Sequence, residues 1–161
     1  MTQIKLSEHF TLQEAIESPI ATAKGIDNSC ADPLVLTAAQ FTALRMERVR
    51  ALLGNRPIQI NSWIRSSALN TAIGGAKTSQ HLRGEAVDFT CAAFGAPKDI
   101  VQLIAKYVDI IKFDQVINEQ TWVHISFKQS NNRGEVLSLV QPKAYVKGIT
   151  DSKGVPYTFP A

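Results

Sequence analysis

The chain has 161 residues, of which 45% are hydrophobic and 19% charged, with a net charge of +3 and a pI near 9.0. This composition excludes a disordered chain and suits one folded domain, large enough to bury a core without disulfide staples. No Lys/Arg run with interleaved aromatics is present, so nucleic acid is not an expected partner, while the mild positive balance is compatible with an anionic polymer such as a cell wall.

The first residues, Met1 to Leu6, carry no apolar stretch after the first basic residue, and no segment is apolar enough to span a bilayer. A protein made in the cytoplasm, without membrane insertion and monomeric by default, is the expectation. Thr11 and Glu14 form a capping-box pair that starts a short helix, and Pro19 is expected to end it. Residues 20–37, with Gly25, Asp27, Asn28, Ser29 and Pro33, read as loop. Thr37 opens the strongest helix, over residues 38–53, with Phe41, Leu44, Val49 and Leu52 near helical spacing and Gly54 as the stop.

Residues 57–63 alternate as a half-buried strand, residues 66–73 read as a short helix ended by Gly74 and Gly75, and residues 86–89 as a short strand. Pro97 suits the first turn of a helix over residues 98–107. Residues 113–118 and 122–127 are β-rich and three residues apart, which predicts a hairpin. The remainder, with Pro142, Pro156 and Pro160, reads as weak strands and a loose tail. Helices come first and strands gather later, so the class is α+β with a largely antiparallel sheet. Cys30 and Cys91 are expected to be free thiols.

Two segments carry the chemistry. Residues 79–88 offer His81 and Asp88 on either side of Gly84, and residues 119–126 offer Glu119 and His124; only one other histidine, His9, exists in the chain. Two imidazoles and a carboxylate suit a catalytic zinc, which takes three protein ligands and keeps a fourth position for water. Asp88 lies among Ala86, Val87 and Phe89, where an unpaired carboxylate is costly, so it needs a metal or a cation such as arginine. Alternation places Trp122, His124 and Ser126 on one face and Val123, Ile125 and Phe127 on the other, so the histidine lies away from the core.

The ordered pattern Ser79-x-His81-x-x-Gly84-x-Ala86-x-Asp88, followed by Trp122-Val123-His124, resembles the zinc D-Ala-D-Ala carboxypeptidase family of peptidoglycan peptidases. Upstream, Ile60 to Ser66 is similar to that family's SGYRS segment, Leu69 to His81 to its LNxxxGGxxxSQH stretch, and His9 to Glu14 to the opening of its phage and bacterial members. The resemblance covers about residues 7–128 of a single domain spanning residues 1–161, and leaves 129–161 as a C-terminal extension or tail. It implies the hedgehog/DD-peptidase fold and one zinc held by His81, Asp88 and His124. It further implies that Arg65 stabilises the developing oxyanion, and that Ser79, Arg65, Gln80 and Trp122 meet the substrate.

Many members of that family carry the general base three residues before the last histidine, where this chain has Thr121. Glu119, at the end of the preceding strand, is similar to the acid that other members use there, with Asp114 and then Glu85 as alternatives. The implied activity is hydrolysis of a peptide bond in peptidoglycan stem peptides, by a D-Ala-D-Ala carboxypeptidase or an endolysin-type endopeptidase. Such an enzyme acts on the cell wall, after phage-type release. The alternative is a catalytically silent zinc-binding module that recognises wall peptide or a protein partner.

Overall fold

The computed structural model of the chain describes residues 3–141 and 143–160; Met1, Thr2, Pro142 and Ala161, which enter the readings of the N-terminus and the tail, lie outside the described residues. Helix α1, Leu12–Ile16, starts at Thr11 with both halves of the capping box made: the Glu14 amide donates to Thr11 Oγ1, and the Thr11 amide donates to the Glu14 carboxylate. Proline then acts against expectation. Pro19 opens helix α2, Pro19–Lys24, behind an Ser18 cap, and Pro33 opens helix α3, Pro33–Leu52, behind an Asp32 cap. A proline at the first helical position loses no hydrogen bond and has its φ already set, so both prolines start helices where residues 20–37 read as loop.

Strand β1, Gln59–Ser62, leads to helix α4, Ser67–Ala72, and a 3₁₀ turn, Gln80–Arg83, precedes strand β2, Ala86–Thr90. Helix α5, Pro97–Lys106, and the one-turn helix α6, Val108–Ile111, lead to the hairpin of β3, Gln115–Asn118, and β4, Val123–Ser126. The weak strands expected after the hairpin are β5, Glu135–Val140, and β6, Ala144–Lys147, and both join the sheet. The strand order is β1-β2-β4-β3-β5-β6; β3 and β5 run parallel and the other pairings are antiparallel. The class is thus α+β with a six-stranded, mostly antiparallel open sheet.

Alternation along the central strands sends Val87, Phe89, Val116, Val123 and Ile125 into one core with Ile100, Val101 and Ile104 of α5. Ala39, Ala43, Met46 and Val49 supply the α3 face of that core, whereas Leu44 is 61% exposed, so the buried stripe is rotated from the one its larger side chains suggest. Among the described residues no helix is long and apolar enough to cross a membrane. Cys30 and Cys91 are free.

Asp114, at the entry to β3, ties the loop that leads into β5 to the rest of the sheet. Its fully buried carboxylate accepts from the backbone and guanidinium of Arg133 and pairs with Lys128 at 2.9 Å, and its carbonyl accepts from the Glu135 amide at the start of β5. Burial pushes this carboxyl up, but the hydrogen bonds from Arg133 and Lys128 prevail and hold it at about 2. Asp114→Asn is expected to lower unfolding stability by about 1–3 kcal/mol, because hydrogen bonds to a buried charge are lost. A carboxyl with a depressed folded-state pKa stabilises above its unfolded value and loses that contribution as pH falls. Denaturant titrations should therefore show the full gap between wild type and variant at neutral pH, narrowing as pH drops below 3.8 towards 2.

Candidate metal centre

Three sheet positions and one tight turn converge here. In the sheet, Ser62 of β1 lies opposite Asp88 of β2, and Asp88 lies opposite His124 of β4, so these side chains rise from the same face on three adjacent strands. His81 enters from the 3₁₀ turn. That turn ends at Gly84, whose φ of +70° is left-handed and whose added Cβ would lie 2.8 Å from the Val35 carbonyl of α3. Glycine is needed there on both counts. The Gly84 carbonyl accepts from the Trp63 indole at 3.0 Å, which locks the turn onto the segment that follows β1.

The donor atoms form a small triangle: His81 Nε2 to His124 Nδ1 is 3.3 Å, His81 Nε2 to Asp88 Oδ1 is 3.3 Å, and His124 Nδ1 to Asp88 Oδ1 is 2.8 Å. A tetrahedral zinc with bonds of about 2.0–2.1 Å sets neighbouring ligand atoms about 3.3 Å apart; two edges of the triangle have that length and the third, between His124 and Asp88, is shorter at 2.8 Å. Among the described residues this is the one group of three metal-ligating side chains brought together. The tautomer of His81 also suits the role. Its Nδ1 lies 2.7 Å from the Trp63 carbonyl, which can only accept; Nδ1 therefore carries the proton and Nε2 turns a lone pair into the triangle. Burial holds the His81 imidazole below its usual pKa, which favours that neutral form.

Asp88 has the cation its sequence context calls for, Arg65, and faces the two imidazoles as well. Oδ1 faces the two imidazoles, and Oδ2 accepts from Arg65 at 2.6 Å. Burial raises the carboxyl's pKa, yet the imidazoles of His81 and His124 outweigh burial and hold it far below the usual carboxylate range. Arg65 is braced by a second bond, from Nε to Ser62 Oγ at 2.9 Å. The backbone around it is fixed by buried Asn28, whose side-chain amide donates to the Ile16 and Ile64 carbonyls and whose Oδ1 accepts from the Ser66 amide. Asn28 and Ser62 are positioning residues that the sequence pattern did not flag, since a polar residue in an apparent loop and a small polar one in a half-buried strand carry no sign of the partner they will meet.

Glu119 follows β3 at the hairpin end and is only 8% exposed. Its amide donates to the Trp122 carbonyl, and Gln120 turns the chain with a φ of +69°. Burial pushes its carboxyl up, while His124 and a hydrogen bond from Tyr145 partly oppose that push. The other acids are engaged elsewhere: Asp114 with Lys128 and Arg133, and Glu85 with Arg83. Thr121 is exposed in the turn. The remaining histidine, His9, bonds Glu47, apart from this cluster.

A cleft of about 470 Å³ opens beside the triangle, lined by Arg65, Asp88, Trp122 and, on its apolar side, Ile20, Leu69 and Ile73. Trp122 and Arg65 thus reach the space next to the cluster. Ser79 and Gln80 do not line this cleft: Ser79 Oγ accepts from the His81 amide at 3.3 Å, a local cap that helps set the turn, and Gln80 Nε2 is buried with no partner among the described residues.

The family model described as Peptidase M15 matches residues 8–126, which takes in the triangle, Arg65 and Glu119. The zinc D-Ala-D-Ala carboxypeptidase of Streptomyces albus G is 33% identical to this chain over 57 residues. That stretch covers 35% of this chain and 22% of the Streptomyces protein, so the likeness spans about a fifth of the relative's length.

Proposed function

The chain belongs to the peptidase M15 family, and we propose that it is a zinc-dependent peptidase that hydrolyses a peptide bond in peptidoglycan stem peptides. The observation that carries this reading is the triangle of His81, Asp88 and His124 with a buried acid, Glu119, at the end of the hairpin whose second strand carries His124. His81, Asp88 and His124 would hold the ion, which when bound acidifies water and polarises a carbonyl.

The protein's own groups divide the remaining work. Glu119 takes a proton from the attacking water and returns it to the leaving amine, so that water adds across the cleaved C–N bond. A carboxyl pushed up by burial is suited to both halves of that shuttle, because its affinity for the proton lies closer to neutrality than that of an exposed glutamate. Arg65, held by Ser62 and Asp88 at the cleft, supplies fixed positive charge for the oxyanion that develops on the scissile carbonyl. Ile20, Leu69, Ile73 and Trp122 form an apolar wall that suits a small aliphatic side chain such as that of alanine.

The same reading assigns the fold to the hedgehog/DD-peptidase group and the site of action to the cell wall, in a D-Ala-D-Ala carboxypeptidase or an endolysin-type endopeptidase of phage descent. Mass spectrometry of defined stem peptides, after incubation with the zinc-loaded protein and with a chelator-treated control, tests it. The expected result is one cleaved bond whose products together gain one water, in the zinc-loaded sample only. Intact peptides in both samples, with zinc bound, would replace the peptidase with the silent zinc-binding module.

A further inference from the structure

Strand β6 lies outside the residues matched by the family model, yet it delivers a side chain to the catalytic acid. The register explains how. Ile117 of β3 pairs with Leu137 of β5 in parallel, so Leu139 lies level with residue 119 one strand further on, and Leu139 pairs with Tyr145 of β6. Glu119, Leu139 and Tyr145 thus form one row across the sheet. The end of the hairpin is tied to β5 and to the segment that follows β6, because Gln120 Nε2 donates to the Leu139 carbonyl at 2.8 Å and Asn118 Nδ2 donates to the Thr150 carbonyl at 3.0 Å.

Across that row the Tyr145 hydroxyl donates to Glu119 Oε1 at 3.2 Å, the one side-chain hydrogen bond Glu119 makes among the described residues. Tyr145 is 53% exposed, so packing does not account for a tyrosine at this position. Its polar end, by contrast, meets the acid at the site.

We propose that Tyr145 is a positioning residue that holds one oxygen of Glu119 and leaves the other to move the proton. This rests on the reading of Glu119 as the general base. The hydroxyl is a dependable donor, because burial and the negative charge of Glu119 push its ionisation up to about 12. At neutral pH it stays protonated and stabilises the ionised carboxylate that a base must present. The C-terminal strand pair therefore completes the site, where the tail alone would read as an appendage.

The test is Tyr145→Phe in the full chain, which keeps the ring and removes one hydroxyl. With stem peptide as substrate, kcat is expected to fall roughly 10–100-fold with KM little changed, zinc content intact and the midpoint of thermal unfolding unmoved. The acid limb of the pH profile should shift to higher pH, because a hydrogen bond that favours the charged carboxylate is gone. A second readout is independent of turnover: in NMR of protein labelled at the tyrosine ring, Glu119→Gln should move one of the three tyrosine signals at neutral pH, and Tyr145→Phe should delete that same signal. An unchanged kcat and acid limb in Tyr145→Phe, with Glu119→Gln inactive, overturns the positioning role and leaves the peptidase reading standing. A tyrosine spectrum indifferent to Glu119→Gln overturns it as well. A wild type with no turnover removes the peptidase reading and this role together.

Discussion

Glu119→Gln is expected to retain zinc and to lose turnover by roughly 10²–10⁴-fold, the usual worth of a positioned proton shuttle. Glutamine keeps the size of the side chain and an oxygen that can still accept from Tyr145, so the local packing survives while the basic oxygen is lost. Stability should move the other way. Burial raises the Glu119 pKa, so the folded state at neutral pH carries a carboxylate that it disfavours; a neutral amide removes that cost, and the unfolding midpoint should hold or rise. In the wild type, kcat/KM should fall as pH drops through the raised pKa of Glu119, since only the ionised form accepts a proton. Paired measurements of kcat, metal content and unfolding midpoint check all three statements. Full activity in Glu119→Gln would remove the base assignment and direct attention to another proton acceptor.

His124→Ala should cost more zinc affinity than the roughly 10–100-fold typical for an outer-shell partner, and activity should fall with it. Two changes act together. One corner of the triangle is gone, and Asp88 loses the 2.8 Å partner that helps hold its carboxylate ionised in a buried position. The comparison with Arg65→Lys separates the two: lysine retains a charge near Asp88 Oδ2 but not the fork that also reaches Ser62, so it should perturb turnover more than metal content. Competition titration with a chromophoric chelator measures the affinity of each variant. An unchanged zinc affinity in His124→Ala would mean that the triangle is not the metal centre.

Much of this was legible in the sequence where local physics and spacing agree. The capping box at Thr11 and Glu14, the hairpin around residues 119–122 and the strand that carries Asp88 each follow from short-range chemistry, and the structure has all three. The gathering of His81, Asp88 and His124 was legible because their order and spacing match a family pattern, although nothing in residues 79–88 alone reveals that β2 pairs with β4.

Other features were hidden because they depend on context. Pro19 and Pro33 are equally good as breakers and as first helical residues, and the Ser18 and Asp32 caps before them decide for the second role. On α3, Val49 lies in the core and Phe41 and Leu52 pack against it as their spacing suggests, whereas bulky Leu44 is exposed and small Ala39 and Ala43 take the close contact that buries the helix. The last segment reads as weak strands, but their place in the sheet is not legible, because β5 adds to β3 in parallel, a long-range pairing with no turn signal to announce it. Without that pairing, Tyr145 has no visible neighbour.

Zinc binding by His81, Asp88 and His124 is the property on which the proposed chemistry depends. Elemental analysis of the protein purified without chelator measures this most directly. One zinc per chain, lost in His81→Ala, is the predicted result. No zinc in the wild type, even after reconstitution, would contradict the metal centre and the peptidase mechanism built on it.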